Sequence, residues 1–178
     1  MKQRRSFLKS SAVIAAALSA PGLARAALLL PPERSLQLYN THTGESLKRV
    51  FWSQGQFVPE ALTEINKLLR DHRNDQIAQI DPQLLVLLDR VSAQFGSSKL
   101  LHVISGYRSP ESNKKLAEAS NGVAKHSMHM EGKAIDVRVP GLALASLHKA
   151  AMQAGGGGVG YYPDSQFVHL DTGRKRSW

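Results

Sequence analysis

Ser127-Met128-His129-Met130-Glu131-Gly132-Lys133-Ala134-Ile135-Asp136 is the stretch around which the chain is organised. From Ala134 the pattern alternates, with Ile135, Val137 and Val139 on one face of a strand and Ala134, Asp136 and Arg138 on the other. An aspartate between Ile and Val in a half-buried strand is costly without a partner, so a cation or a hydrogen-bond cluster is expected beside it. A second piece, Phe167-Val168-His169-Leu170-Asp171, lies far enough downstream to be a separate strand, with Phe167, His169 and Asp171 sharing a face. Two imidazoles and a carboxylate form the N/O ligand set of a catalytic zinc site, which leaves its fourth position open for water. The set read here is His129, Asp136 and His169.

The chain has 178 residues, 42% hydrophobic and 21% charged, which suits one globular domain. It has no cysteine, which excludes disulfide frameworks, thiolate metal sites and cysteine nucleophiles together. Residues 1–26 read as an export signal: Lys2, Arg4, Arg5 and Lys9 precede an apolar run over 12–18 and the small-residue cleavage pattern Ala24-Arg25-Ala26. The apolar run is too short to span a bilayer, so no transmembrane anchor is expected after signal removal. The order Arg4-Arg5-Ser6-Phe7-Leu8-Lys9 is of the twin-arginine type and implies export to the periplasm. This segment carries five basic residues and no acidic one, so its loss lowers the formal charge from +9 to +4. No basic stripe with interleaved aromatics remains, which argues against nucleic acid, and a mild positive balance suits an anionic matrix such as a cell wall.

Strands over 35–40 and 47–52 around the turn Thr41-His42-Thr43-Gly44-Glu45 predict a hairpin, with His42 a solvated turn residue. Pro59 and Pro82 each open an amphipathic helix, the second ended by Gly96. The polar cluster Asp71-His72-Arg73-Asn74-Asp75 between them reads as a solvated connection, and His72 receives no chemistry. A buried strand over 100–105 runs into Gly106-Tyr107-Arg108-Ser109-Pro110, and Pro110 starts a helix through Ala119. Arg108 at that junction either contacts a substrate carboxylate or developing oxyanion, or ties the junction to a neighbouring carboxylate. A helix over 142–153 is stopped by Gly155-Gly156-Gly157-Gly158, which lacks the lysine and spacing of a phosphate loop. A strand over 159–162 and the turn Pro163-Asp164-Ser165-Gln166 lead to the second piece. The expected architecture is a small single α+β domain over 27–178, an antiparallel sheet flanked by helices with the site on one sheet face.

Ser-x-His, Gly132, Ala-x-Asp and the later strand histidine together resemble the D-alanyl-D-alanine metallopeptidase family, which shares its zinc site and core sheet with the hedgehog signalling domain. Ser105-Gly106-Tyr107-Arg108-Ser109 fits the same family. A finer resemblance, to its YcbK-like branch of the murein endopeptidase K type, is carried by Gly-Val-Ala-Lys at 122–125, Gly-Val-Gly-Tyr-Tyr-Pro at 158–163 and the closing segment 167–178. The resemblance implies zinc ligation by His129, Asp136 and His169, with Arg108 as electrophilic helper. Members with a general-base glutamate place it three residues before the last ligand, where this chain has Gln166; others place a histidine five residues before, where it has Asp164. The base is thus open among Asp164, Asp171, Glu131 and His126, and Asp171 is also suited to orienting His169.

The expected reaction is zinc-assisted amide hydrolysis, the Zn2+ ion acidifying a water and polarising the scissile carbonyl while a carboxylate takes the proton. The resemblance implies peptide cross-links of peptidoglycan as substrate; a monomer is expected. A carboxypeptidase trimming stem-peptide ends, and a non-catalytic zinc or wall-binding module, are the rival readings.

Overall fold

Ser105, Asp136, His169 and Gly160 form one row across four neighbouring strands, and that row is what the fold builds. The computed structural model describes residues 33–96, 99–119 and 124–178, all within the unit Pro31–Trp178. The segment read as a signal over 1–26 lies outside the described residues, as do Gly122 and Val123.

The strands are β1 (Arg34–Asn40), β2 (Ser46–Ser53), β3 (Gln56–Phe57), β4 (Leu100–Ser105), β5 (Ala134–Arg138), β6 (Gly158–Tyr162), β7 (Phe167–Asp171) and β8 (Arg176–Ser177). They form one eight-stranded sheet in the order β3-β2-β1-β4-β5-β7-β6-β8. The sheet is mostly antiparallel, as expected, with parallel pairs at β1–β4 and β6–β8. The expected hairpin is present as β1 and β2.

Helix α1 (Pro59–Leu68) starts at a proline that loses no intrahelical bond there, and it buries Ala61, Ile65 and Leu68. Helix α2 (Pro82–Ala93) is capped by Asp81, whose carboxylate accepts from the Gln83 N–H at 2.9 Å, and it buries Leu84, Leu85, Leu87, Leu88 and Val91. Helix α3 (Pro110–Ala119) follows β4, and α4 (Leu144–Gln153) follows β5. Leu101, Val103, Ile135, Val137, Val168 and Leu170 send one sheet face into a single core with α1, α2 and α4. Each fully buried Leu or Ile stabilises by about 2 kcal/mol. Strand alternation then delivers Asp136 and His169 to the other face. No helix among the described residues is long and apolar enough to cross a membrane.

Candidate metal centre

His129 does not come from a strand. It sits in a short 3-10 turn, Met128–Glu131, whose N-cap Ser127 accepts from the His129 N–H at 3.3 Å and whose C-cap is Gly132 in the left-handed region, φ 67°. A side chain at 132 would also run into the Gln79 carbonyl oxygen, so glycine is required for conformation and for space. The turn is clamped to the β4–α3 junction: the Arg108 N–H donates to the His129 carbonyl at 3.1 Å. In return the Gly106 carbonyl accepts from His129 Nδ1 at 2.7 Å.

That last bond places the His129 proton on Nδ1 and leaves Nε2 bare toward the sheet row. His169 is fixed in the opposite sense, because its Nε2 lies 3.1 Å from Asp171 Oδ2, which leaves Nδ1 bare. Three lone pairs therefore converge: His169 Nδ1 is 2.8 Å and His129 Nε2 3.3 Å from Asp136 Oδ1, and the two nitrogens are 3.3 Å apart. Acceptors facing acceptors in a buried site call for a cation. His129, Asp136 and His169 form the one group among the described residues whose ligand atoms could hold a metal, all within 4.8 Å of one another. Burial acts to raise the Asp136 pKa, and positive charge beside it, which protonated imidazoles carry where no ion is bound, outweighs burial and holds the carboxyl below the usual range.

Asp171 is 0% exposed. Besides His169 it accepts from the Gly158 N–H at 2.7 Å, the Gly173 N–H at 2.8 Å and Arg176 Nη2 at 2.6 Å. These donors overcome the burial that would raise its pKa and keep it ionised. The glycine run thus does more than stop α4, since a side chain at 158 would strike the Asp171 carboxylate.

A cleft of about 310 Å³ opens over the three converging side chains. One wall carries Tyr162, Phe167 and Trp178, with the Trp178 indole N–H donating to Tyr162 Oη at 2.6 Å and its ring centroid 5.3 Å from that of His169. Arg108, His126 and Ser127 also line it. Arg108 Nη1 reaches Asn113 Oδ1 at 3.4 Å and Nη2 reaches Ser105 Oγ at 3.5 Å, both long, while its buried Nε has no partner. Burial lowers the Arg108 pKa, and the Asp136 charge opposes that shift.

Of the other residues singled out from sequence, Asp164 is exposed on the β6–β7 turn and Glu131 is exposed and paired with Lys133 at 2.8 Å. Neither is among the residues lining the cleft, whereas His126 is. His42 is exposed, as expected, but its ring stacks on His72 at 3.8 Å. Sequence reasoning missed the aromatic wall and Arg176; the Trp and Tyr at 178 and 162 were quoted only as motif, and their placement depends on β8.

A family model described as peptidoglycan L,D-endopeptidase MepK matches residues 30–178. The chain belongs to that family. It is 43% identical over 175 residues to the peptidoglycan L,D-endopeptidase MepK of Escherichia coli K12, covering 98% of this chain and 96% of that protein. It is 35% identical over 178 residues to the probable peptidoglycan L,D-endopeptidase MepK of Haemophilus influenzae, covering 99% of this chain and 96% of the relative. The resemblance drawn from the ordered motifs is thus shown across essentially the whole domain.

Proposed function

We propose that the chain is a zinc-dependent murein endopeptidase that hydrolyses peptide cross-links of peptidoglycan, with His129, Asp136 and His169 holding the ion. The observation that carries the metal reading is the convergence of two bare imidazole nitrogens and a carboxylate oxygen at the floor of a cleft. The nitrogen and oxygen donors, with both tautomers fixed from outside, suit zinc. When bound, the ion supplies a Lewis acid and an acidified water.

The protein's own groups divide the remaining work. Arg108 lines the cleft with a guanidinium held by only two long hydrogen bonds, and it stabilises charge developing on the scissile carbonyl oxygen. Asp171 orients His169 and, already saturated with donors, does not take a proton. His126 is the proton acceptor, because among the four base candidates it alone lines the cleft. Tyr162, Phe167 and Trp178 offer the substrate an aromatic surface on one side of the cleft. The substrate places the mature chain in the periplasm, reached by the twin-arginine signal over 1–26, where it acts as a monomer.

The test is metal content and digestion of purified crosslinked muropeptides, beside His169→Ala. Conversion of dimers to monomers by the parent, and loss of both zinc and conversion in the variant, are expected. Full activity in His169→Ala would overturn the zinc assignment, and trimming of stem-peptide ends without dimer cleavage would make the protein a carboxypeptidase.

A further inference from the structure

Asp71 heads the connection between α1 and α2, is 0% exposed, and has no part in the chemistry above. A buried carboxylate persists only where donors compensate it. Its Oδ2 accepts from the Ser109 N–H at 2.9 Å, its Oδ1 from the Arg73 N–H at 3.1 Å, and the Arg73 guanidinium stands 3.7 Å away. Asn74, three residues on, donates from Nδ2 to Ser109 Oγ at 2.9 Å, and that oxygen also accepts from the Ser112 N–H at 3.2 Å. Two residues before Asp71, the Leu69 carbonyl accepts from the Tyr107 N–H at 2.7 Å.

Both chain neighbours of Arg108 are therefore bonded to one loop, and the Arg108 N–H is bonded to the His129 carbonyl. The guanidinium itself has only two long bonds, so its direction is inherited from the backbone beneath it. The junction and Leu69 are in close contact as well, since a Cβ added at Gly106 would stand 2.5 Å from the Leu69 carbonyl oxygen.

We propose that Asp71 is a positioning residue for Arg108, its buried carboxylate fixing the Ser109 N–H so that the arginine head is aimed into the cleft beside the metal ligands. This rests on the reading that Arg108 serves the hydrolysis. A carboxylate that only stabilised the fold would be indifferent to which side chain stands at 108.

The experiment pairs Asp71→Asn with Arg108→Lys on zinc-loaded protein, with muropeptide kinetics and zinc content, and adds 15N NMR of the Arg108 Nε–H. Asp71→Asn lowers kcat by about tenfold or more with zinc content unchanged, and costs little further in the Arg108→Lys background. Asn74→Ala, at an exposed residue that cannot collapse the core, acts in the same direction by a few fold on the order expected for one lost bond. The Arg108 Nε–H exchanges with solvent faster in both variants. Equal losses in both Arg108 backgrounds, or full kcat in Asp71→Asn, overturn the proposal. The exchange rate is read without turnover, so unchanged exchange overturns it even if the protein cleaves no muropeptide, whereas faster exchange in an inactive parent indicts only the peptidase reading.

Discussion

Asp136 and His169 are register partners on antiparallel β5 and β7, with His169 Nδ1 2.8 Å from Asp136 Oδ1. Pairing at one rung gives these two proposed ligands a shared rigid base in the ladder, while the third, His129, is held by its 3-10 turn. Asp136→Asn keeps the shape but replaces a charged acceptor with an amide whose NH2 can donate to a bare imidazole nitrogen. Zinc stoichiometry by plasma mass spectrometry is expected to fall from near one to a small fraction, with hydrolysis lost and the far-ultraviolet circular dichroism unchanged.

Asp171→Asn tests orientation rather than ligation. Removing the carboxylate behind a metal-binding imidazole costs on the order of 10- to 100-fold in metal affinity or activity. Arg176→Ala, which strips the two guanidinium hydrogen bonds and leaves the Gly158 and Gly173 N–H groups in place, is expected to cost less. Competition with a zinc-chelating dye ranks the two.

Gly132→Ala combines a left-handed φ of 67° with an obstructed Cβ. The conformational part alone costs about 1–2 kcal/mol, and relief of the clash with the Gln79 carbonyl must move the turn that carries His129. A fall in melting temperature together with weakened zinc binding is expected. A drop in melting temperature with zinc affinity intact would show that the turn moves without His129.

How much of this was legible in the sequence follows physical range. The period-two alternation around Asp136 and His169 marks which face each side chain takes, and no tertiary information is needed for it. The 71–75 connection is solvated as expected at Arg73, Asn74 and Asp75, but Asp71 is buried, and its partner Ser109 lies 38 positions later, which no local pattern reports. Strand β8 has two residues and no period to detect, so the placement of Trp178 over His169 was invisible. The same holds for choosing among base candidates: Asp164 and His126 both lie in irregular segments, where spacing does not say which way a side chain points.

His72 gives a pH signature away from the metal. Burial, with Arg73 and His42 nearby, pushes its pKa down to about 4. The unfolded chain binds a proton near pH 6.5 and the folded one does not, so stability is complete above pH 6.5 and falls as pH drops toward 4. Because the ring is partly exposed, the loss is on the order of 1 kcal/mol after solvent screening. His72→Gln is expected to flatten the melting-temperature profile between pH 4 and 6.5 relative to the parent. The remaining slope in the variant belongs to carboxylates such as Asp71, whose pKa is lowered by its hydrogen bonds from Ser112 and Ser109 against the burial that raises it.

The proton-transfer half of the site is decided by comparing His126→Ala with Asp164→Asn. Gln166, at the position where a glutamate base would stand, has no titratable proton, and its amide is turned back to the Pro163 carbonyl at 2.5 Å. General acid–base catalysis contributes about 10²- to 10⁴-fold, so removing the true acceptor should lower kcat by that order while zinc content and fold are kept. His126 lines the cleft and Asp164 is exposed on a turn beside it, so the loss is expected in His126→Ala and near-parent activity in Asp164→Asn. The reverse ranking would assign the proton to the turn and require Pro163-Asp164-Ser165-Gln166 to fold over the cleft when substrate is bound.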